Sequence, residues 1–314
     1  MRCTAEESTF YFGERLGLML KSLAALLRSL RLHQWVKNVL IFLPILMGHD
    51  LSLEKWRDTI LGFLAFGFCA SAVYLLNDLV DFESDRNHPV KRHRPIASGA
   101  LSRTWVPAVS MVLIFTAAIL AWQVNIAFGA VLVVYLIATS LYTLWLKRVV
   151  IVDVLVLAGL YVLRVIAGGV ASEIVISKWL MTFCFFFFLS LAFAKRYAEL
   201  ARHADEESPA NPSRAYWVSD LDLIQTLGPN SGYLAVLVLT LYINSDEMSK
   251  VYHYDWPLWL ICPLILYWLS RVWLFAKRRQ LNEDPILFAF RDSASILVGC
   301  LAVALWCMAS WLPK

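Results

Sequence analysis

Long apolar stretches separated by polar intervals dominate the chain. Nine of them reach or approach the roughly 20 residues that a helix needs to cross a hydrocarbon core about 30 Å thick. They centre on residues 34–49, 58–77, 104–122, 124–143, 150–170, 177–194, 230–244, 256–276 and 292–312. None alternates with period two, which excludes a barrel, and backbone that must satisfy its own hydrogen bonds in lipid leaves only helices. The pattern therefore predicts an all-α integral membrane protein. Two polar intervals are long, 78–103 and 195–229, rich in acids and bases and punctuated by Pro89, Pro95, Pro209 and Pro212. The others are short or mildly acidic, such as SDEMSKVYHYD at 245–255.

Composition agrees. Of 314 residues 60% are hydrophobic, and the mean hydropathy of +0.62 exceeds what a soluble domain shows. The opening MRCTAEESTFYFGE is polar and carries no apolar core of a cleavable signal, so the first span is expected to act as its own insertion signal. The six cysteines form no CxxC or Cys/His spacing and read as small hydrophobes. No feature points to nucleic acid.

Charge then sets the expected orientation. Most of the 28 Lys and Arg fall in the N-terminal arm, in 78–104, at 147–148, in 195–229 and in 277–291. Positively charged loops stay cytoplasmic, which predicts an odd number of spans in the plasma (inner) membrane, the N-terminus inside and the C-terminus outside. Chemistry is then expected on the cytoplasmic face. Leu16, Leu20, Leu23, Leu27 and Leu30 recur at helical spacing with Lys21, Arg28 and Arg31 off the stripe, predicting a basic amphipathic helix on the lipid surface. The expected organisation is an arm over 1–33 and a single nine-helix domain over 34–314.

Asp78, Asp81 and Asp85 stand at i, i+3 and i+7, so a second span that continues as helix projects all three carboxylates from one face. Their repulsion calls for a cation. Hard divalent ions, above all Mg²⁺, take carboxylate oxygens and keep phosphate oxygens as further ligands. Asn77 can add an amide oxygen. Arg86, His88, Lys91, Arg92 and Arg94 follow, phosphate partners whose arginines can grip bidentately. Positive-inside placement alone explains the bases but not three acids in register.

A second cluster follows the sixth span, where Lys195, Glu199 and Arg202 fall at i, i+4 and i+7 with Arg196 beside them. An ordinary surface ion pair, worth about 0.5 kcal/mol, is the plainer reading of that spacing. Asp153 and Arg164 lie on nearly one face of the fifth span, and intramembrane charges usually face a polar cavity. Asp153 with Lys147 is near the inner end; Arg164 is deeper, where a buried ion pair with another helix is an equal alternative. Lys37 lies at the inner mouth of span one, and Arg291 with Asp292 opens span nine; snorkelling is the default for such positions. Tyr142 is a cavity candidate or an interfacial tyrosine.

These residues resemble a known family. Asn77, Asp78, Asp81 and Asp85 reproduce the NDxxDxxxD motif of the UbiA superfamily, Mg²⁺-dependent intramembrane transferases with nine transmembrane helices around a central cavity and the active site on the cytoplasmic side. RLHQWVKNVLIFLPIL, NDLVDFESDRNHPVKRHRPIASG, YTLWLKRVVIVDV, YVLRVIAGG and KRYAEL are similar to the polyprenyl-phosphate phosphoribosyltransferase branch, which makes decaprenylphosphoryl-5-phosphoribose on the way to arabinose donors. The resemblance spans nearly the whole chain. It implies phosphoribosyl pyrophosphate and a polyprenyl phosphate as substrates and Mg²⁺ held by Asn77, Asp78, Asp81 and Asp85. It also implies catalysis by Asp78, Asp81, Asp85, Asp153 and Tyr142. Substrate contacts fall to Asn77, Lys37, Arg86, Lys91, Arg92, Arg94, Lys147, Arg164, Lys195, Arg196 and Glu199.

Aromatic prenyltransferases of the superfamily carry a second aspartate pair, DxxxD, after the sixth span. Here that place reads KRYAEL with Glu199 its single acid, an exchange suited to a donor with a phosphate beyond its diphosphate. Tyr142 to Lys147 is likewise one residue longer than the YxxxK of the aromatic branch. Aromatic (4-hydroxybenzoate-type) prenyl transfer is the alternative reaction. An ion-coupled transporter is the alternative of another class, and it would show an internal repeat, which the sequence lacks.

Overall fold

The computed structural model of the protein describes residues 23–50, 52–87, 91–203, 215–245, 248, 252, 254–281 and 284–311. Leu16, Leu20 and Lys21 of the expected amphipathic helix, and His88 of the base run, lie outside the described residues. The described residues form helices and no strand. In order these are α1 (Leu53–Val80), α2 (Phe82–Asn87), α3 (Val106–Val124), α4 (Ile126–Leu144), α5 (Val152–Ser172), α6 (Lys178–His203), α7 (Leu221–Ile243), α8 (Trp256–Lys277), α9 (Pro285–Arg291) and α10 (Ser293–Trp311). All but the short α2 and α9 are long and apolar enough to cross a membrane, eight among the described residues.

The first expected span differs. Its sequence folds as a 3₁₀ run, Leu32–Phe42, followed by a five-residue α-helix, Leu43–Met47. Pro44 offers no N–H to the Leu40 carbonyl and crowds it, so a regular α-helix cannot run through. The seventh span begins at Leu221 rather than 230, with Pro229 inside the helix. Span six runs to His203, so KRYAEL is helix rather than loop.

The chain divides into two compact units, residues 1–42 with 52–140 and residues 43–51 with 141–314. In the first, α1 packs against α3 and against the 3₁₀ run. Three residues per turn stack Trp35, Asn38 and Ile41 along one edge, and Asn38 and Ile41 are buried. Gly67 on α1 makes room for Trp35, since a Cβ there would meet the indole at 2.7 Å. The indole N–H donates to Ser71 Oγ at 3.0 Å, and that hydroxyl donates to the Leu30 carbonyl at 2.8 Å. One serine thus fastens both sides of Arg31 to α1.

In the second unit α6 packs against α5, α7 and α8, and α8 against α7 and α10. Aromatic contacts dominate: Tyr161 stacks on Phe188 at 4.6 Å and Phe187 on Trp268 at 5.6 Å. Each buried indole N–H finds a hydroxyl, Trp268 on Ser295 at 2.9 Å and Trp273 on Ser190 at 3.0 Å. An unsatisfied donor in so apolar a setting would be costly.

Candidate active site

The acidic register of the first unit forms at the end of α1. Asp81 is the capping residue, and its N–H donates to the Asn77 carbonyl at 2.9 Å while its own carbonyl accepts from the Asp85 N–H at 2.8 Å. The i to i−4 pattern therefore carries across the one-residue break into α2. Asp78 and Asp85 end on one face and are buried; Asp81 is half-buried at the joint.

Arg94 closes this face. Its Nη1 donates to Asp85 Oδ2 at 2.6 Å and to Asp78 Oδ1 at 3.1 Å, and Arg31 Nη2 donates to the same Asp78 oxygen at 2.6 Å. The fold explains how Arg94 is aimed. Ile96 buries with Leu75 and Val106 in a small core flanked by Leu30, Leu79 and Phe82. The turn after it needs φ of +79° at Gly99, a conformation that glycine adopts freely. Arg31 is aimed from the other side by its left-handed backbone, φ 51°, and lies over the Tyr74 ring at 5.1 Å.

Arg86 and Arg92 of this stretch have other partners. Arg86 is exposed and lies 5.6 Å over the Phe82 ring. Arg92 is exposed, its Nε donating to His93 Nε2 at 3.4 Å. Lys37, Asn77 and Lys91 are half-buried.

The second unit holds a separate polar cluster centred on Arg196, which is 1% exposed. Its Nε donates to Asp153 Oδ2 at 2.5 Å, its Nη1 to Glu199, and its Nη2 to the Tyr142 hydroxyl at 3.2 Å. Asp153, fully buried, also accepts from the Tyr216 hydroxyl at 2.5 Å, and that hydroxyl accepts from the Ile151 N–H at 2.9 Å. Ile151 has φ 67°, a strained conformation for a β-branched residue, held at the start of α5 where Asp153 sits. Burial, then the bond to Asp153, pushes the Tyr216 hydroxyl well above the usual tyrosine range.

The spacing of KRYAEL is thereby sorted. Arg196 pairs with Glu199; Lys195 reaches Asp284 at 3.1 Å, the residue that caps α9 by accepting from the Ile286 N–H. Arg202 bonds its own helix at the Ala198 carbonyl. Lys147 is half-buried in a 3₁₀ turn, Leu146–Arg148. Arg164 is buried, donates to the Leu160 carbonyl at 2.6 Å and lies 5.5 Å over the Tyr161 ring. Two residues of these clusters escaped the sequence reading as site residues: Arg31, which entered as a positive charge of the N-terminal arm and of its expected amphipathic helix, and Tyr216.

Among the described residues no three His, Cys, Asp or Glu side chains converge on one metal position. Two do share a cation: Asp78 and Asp85 meet on Arg94 Nη1. Their donor atoms are hard carboxylate oxygens, the set that Mg²⁺ accepts while drawing its other ligands from water or phosphate, so the pair fits Mg²⁺. Asp81 stands one turn along, at the joint between α1 and α2.

Comparison with known proteins places these clusters in a family. Residues 39–294 match the UbiA prenyltransferase family. The chain is 37% identical over 287 residues to protein y4nM of Sinorhizobium fredii, covering 90% of this chain but 55% of that protein, so it spans about half of that relative. It is 33% identical over 282 residues to nodulation protein NoeC of Azorhizobium caulinodans, covering 88% and 89% of the two chains. It is 39% identical over 182 residues to decaprenyl-phosphate phosphoribosyltransferase of Mycobacterium tuberculosis, 56% of this chain and 60% of that one. A UbiA homologue from Archaeoglobus fulgidus bound to GPP and Mg²⁺ shares the fold, with TM-score 0.67 at 18% identity over 90% of this chain and 99% of that one. The chain belongs to the UbiA prenyltransferase family.

Proposed function

We propose that the protein transfers the 5-phosphoribosyl group of phosphoribosyl pyrophosphate to a polyprenyl phosphate, releasing pyrophosphate. The observation that carries this reading is the cluster on α6. Where the resemblance places a second aspartate pair, this chain puts Lys195 and a buried Arg196 that presents Glu199 and Tyr142. A carboxylate beside a phenol suits a hydroxyl-rich sugar rather than a second metal. The similarity to decaprenyl-phosphate phosphoribosyltransferases supports the same choice.

Asp78, Asp81 and Asp85, with Asn77, would hold Mg²⁺, which when bound takes up charge on the departing pyrophosphate. Arg86, Lys91, Arg92 and Arg94 bind phosphate oxygens, with Lys37 and Lys195. Tyr142, Asp153 and Glu199 orient the ribose, and Arg196 fixes those three. Lys147 and Arg164 complete the proposed contacts to substrate. The C1 to pyrophosphate-oxygen bond breaks with its electron pair leaving on pyrophosphate, and a phosphate oxygen of the lipid forms the new bond to C1, with inversion. That oxygen is already ionised, so no strong general base is needed. The donor enters from the cytoplasm and the lipid from the bilayer of the plasma membrane, the N-terminus inside and the C-terminus outside. The product would feed polyprenyl-phosphate arabinose donors.

Aromatic prenyl transfer is the second reading, favoured by the family's own description. Purified protein given Mg²⁺, polyprenyl phosphate and an aromatic acid decides between them. Label entering lipid from phosphoribosyl pyrophosphate is the expected result. Label entering the aromatic acid from a prenyl diphosphate, and none entering lipid, would overturn it.

A further inference from the structure

To serve in the proposed transfer the aspartates of the first unit must accept a divalent cation, and in the structure two guanidinium groups already hold two of them. Arg94 Nη1 spans Asp78 Oδ1 and Asp85 Oδ2 at 3.1 and 2.6 Å, and Arg31 Nη2 holds the same Asp78 oxygen at 2.6 Å. Mg²⁺ binds oxygen at about 2.0–2.1 Å in a strict octahedron. An Asp78 oxygen pressed by two guanidiniums must lose one of them before it can enter such a shell. Charge gives the same answer. Two arginines cancel two buried carboxylates, so a divalent ion added to that set leaves a buried positive surplus that only an incoming anion relieves.

We infer that Arg94 is a displaceable cation that occupies the aspartate pair and releases it only when a diphosphate offers replacement oxygens, so that Mg²⁺ and diphosphate bind as a coupled pair. The inference rests on reading this face as a diphosphate–metal site. Arg94 suits the task better than Arg31. Of the two, Arg94 is the one that bridges both carboxylates. Its side chain is 28% exposed while those of Asp78 and Asp85 are 4% and 2% exposed, so it is the member of the trio that a ligand from water meets first. Its planar fork can move from two carboxylates to two phosphate oxygens without losing its hydrogen bonds. Arg31 is held by the ring of Tyr74 and by the Leu30 anchor on Ser71, and it stays behind to neutralise Asp78. Release of the pair by Arg94 gives two ligands a common switch, and such coupling is reciprocal, typically about 5- to 150-fold.

The test uses the full chain in detergent. Mn²⁺ binding is read by electron paramagnetic resonance, and radiolabelled inorganic pyrophosphate binding by equilibrium dialysis with and without Mg²⁺. Wild type is expected to bind Mn²⁺ alone weakly and to bind pyrophosphate at least about 10-fold tighter when Mg²⁺ is present. Arg94→Gln is expected to bind Mn²⁺ alone several-fold tighter than wild type, with the effect of Mg²⁺ on pyrophosphate shrinking toward none. Arg94→Lys, which keeps the charge without the fork, serves if the glutamine variant does not fold and should also bind Mn²⁺ more tightly. A folded Arg94 variant that binds Mn²⁺ no tighter than wild type sinks the inference while leaving the metal site standing. Wild-type Mn²⁺ and pyrophosphate binding that survives Asp78→Asn and Asp85→Asn unchanged sinks both.

Discussion

The hydroxyl of Tyr216 donates to Oδ1 of Asp153 at 2.5 Å, joining residues 63 apart in sequence. The Tyr216 hydroxyl oxygen in turn accepts from the N–H of Ile151, so one phenol ties the strained start of α5 to the carboxylate that compensates Arg196. A buried carboxylate and guanidinium are stable only while their hydrogen bonds are complete.

Tyr216→Phe removes that tie and nothing larger. It leaves an N–H and a carboxylate oxygen short of a partner, a loss of about 1–3 kcal/mol. The melting temperature in detergent should drop. The sign of the pH effect follows from the raised hydroxyl: the protonated phenol is the form the fold prefers, so its stabilisation is whole below the ordinary tyrosine value of about 10 and is lost as pH rises beyond it. Wild type should lose stability on that alkaline branch and the phenylalanine variant should lose less. An identical alkaline profile in the two proteins would count against the bond.

Gly228 and Gly299 should respond oppositely to alanine. A Cβ at Gly228 would lie 1.9 Å from the Trp273 ring and 2.9 Å from Phe193, whereas one at Gly299 meets nothing within 4 Å. Overpacking at the first should destabilise by about 1–3 kcal/mol. Gly299→Ala, inside α10, should be neutral or stabilising by up to about 1 kcal/mol through the lost flexibility of the unfolded chain. Thermal melts of the two variants check the contrast; equal effects would contradict the packing of α7 on α8.

Asp292 predicts an acid branch. Hydrogen bonding by Arg271, at 2.5 and 3.1 Å in a fork, holds its carboxyl below the usual carboxylate range, helped by Ser295 at the start of α10. A carboxyl lowered in the folded state contributes its stability above its ordinary value near pH 4 and loses it as pH falls through the lowered value. Asp292→Ala should lower stability at neutral pH by about 1 kcal/mol for the lost helix cap, read as a lower melting temperature, and should flatten the decline seen in wild type below pH 4. A variant whose acid decline matches wild type would show the fork to be inert.

The apolar runs made the eight long helices legible, because in lipid a continuous run of that length has no other stable backbone. They could not reveal the 3₁₀ course of Leu32–Phe42, since an apolar run reads alike at three or at 3.6 residues per turn. The early start of α7 was hidden by Asp222, Gln225 and Pro229, polar or helix-breaking residues that the packing at Gly228 accommodates. The helical register of Asp78, Asp81 and Asp85 was legible through spacing alone, which survives a one-residue break when the hydrogen bonds carry across it. The cations paired with these acids were less so. Arg31 and Arg94 belong to the same count of positive charge as Arg86 and Arg92, and only the burial of Ile96 and the anchor on Ser71 separate the pair that reaches the acids. Neighbouring Lys195 and Arg196 differ for a similar reason: on one turn of helix, one points to Asp284 and the other into the core.

The aspartates themselves should separate by what each does for the fold. Asp78 and Asp85 are buried against Arg94, and Asp78 against Arg31 as well. Conversion of either to asparagine leaves a guanidinium short of its counter-charge, so a lower melting temperature should accompany the loss of turnover. Asp81 stands half-buried at the joint of α1 and α2, and its backbone bonds do not depend on the carboxylate. Asp81→Asn keeps those backbone bonds, so its effect is read first from turnover and Mg²⁺ requirement. If its carboxylate serves the metal together with the other two, turnover should still fall by about 100-fold or more, at the scale of losing one preorganised charge contact in a transition state, and the Mg²⁺ concentration for half-maximal activity should rise. Melting curves and Mg²⁺ titrations on the three single variants separate these effects. Full activity in Asp81→Asn would confine the metal to the pair that Arg94 bridges.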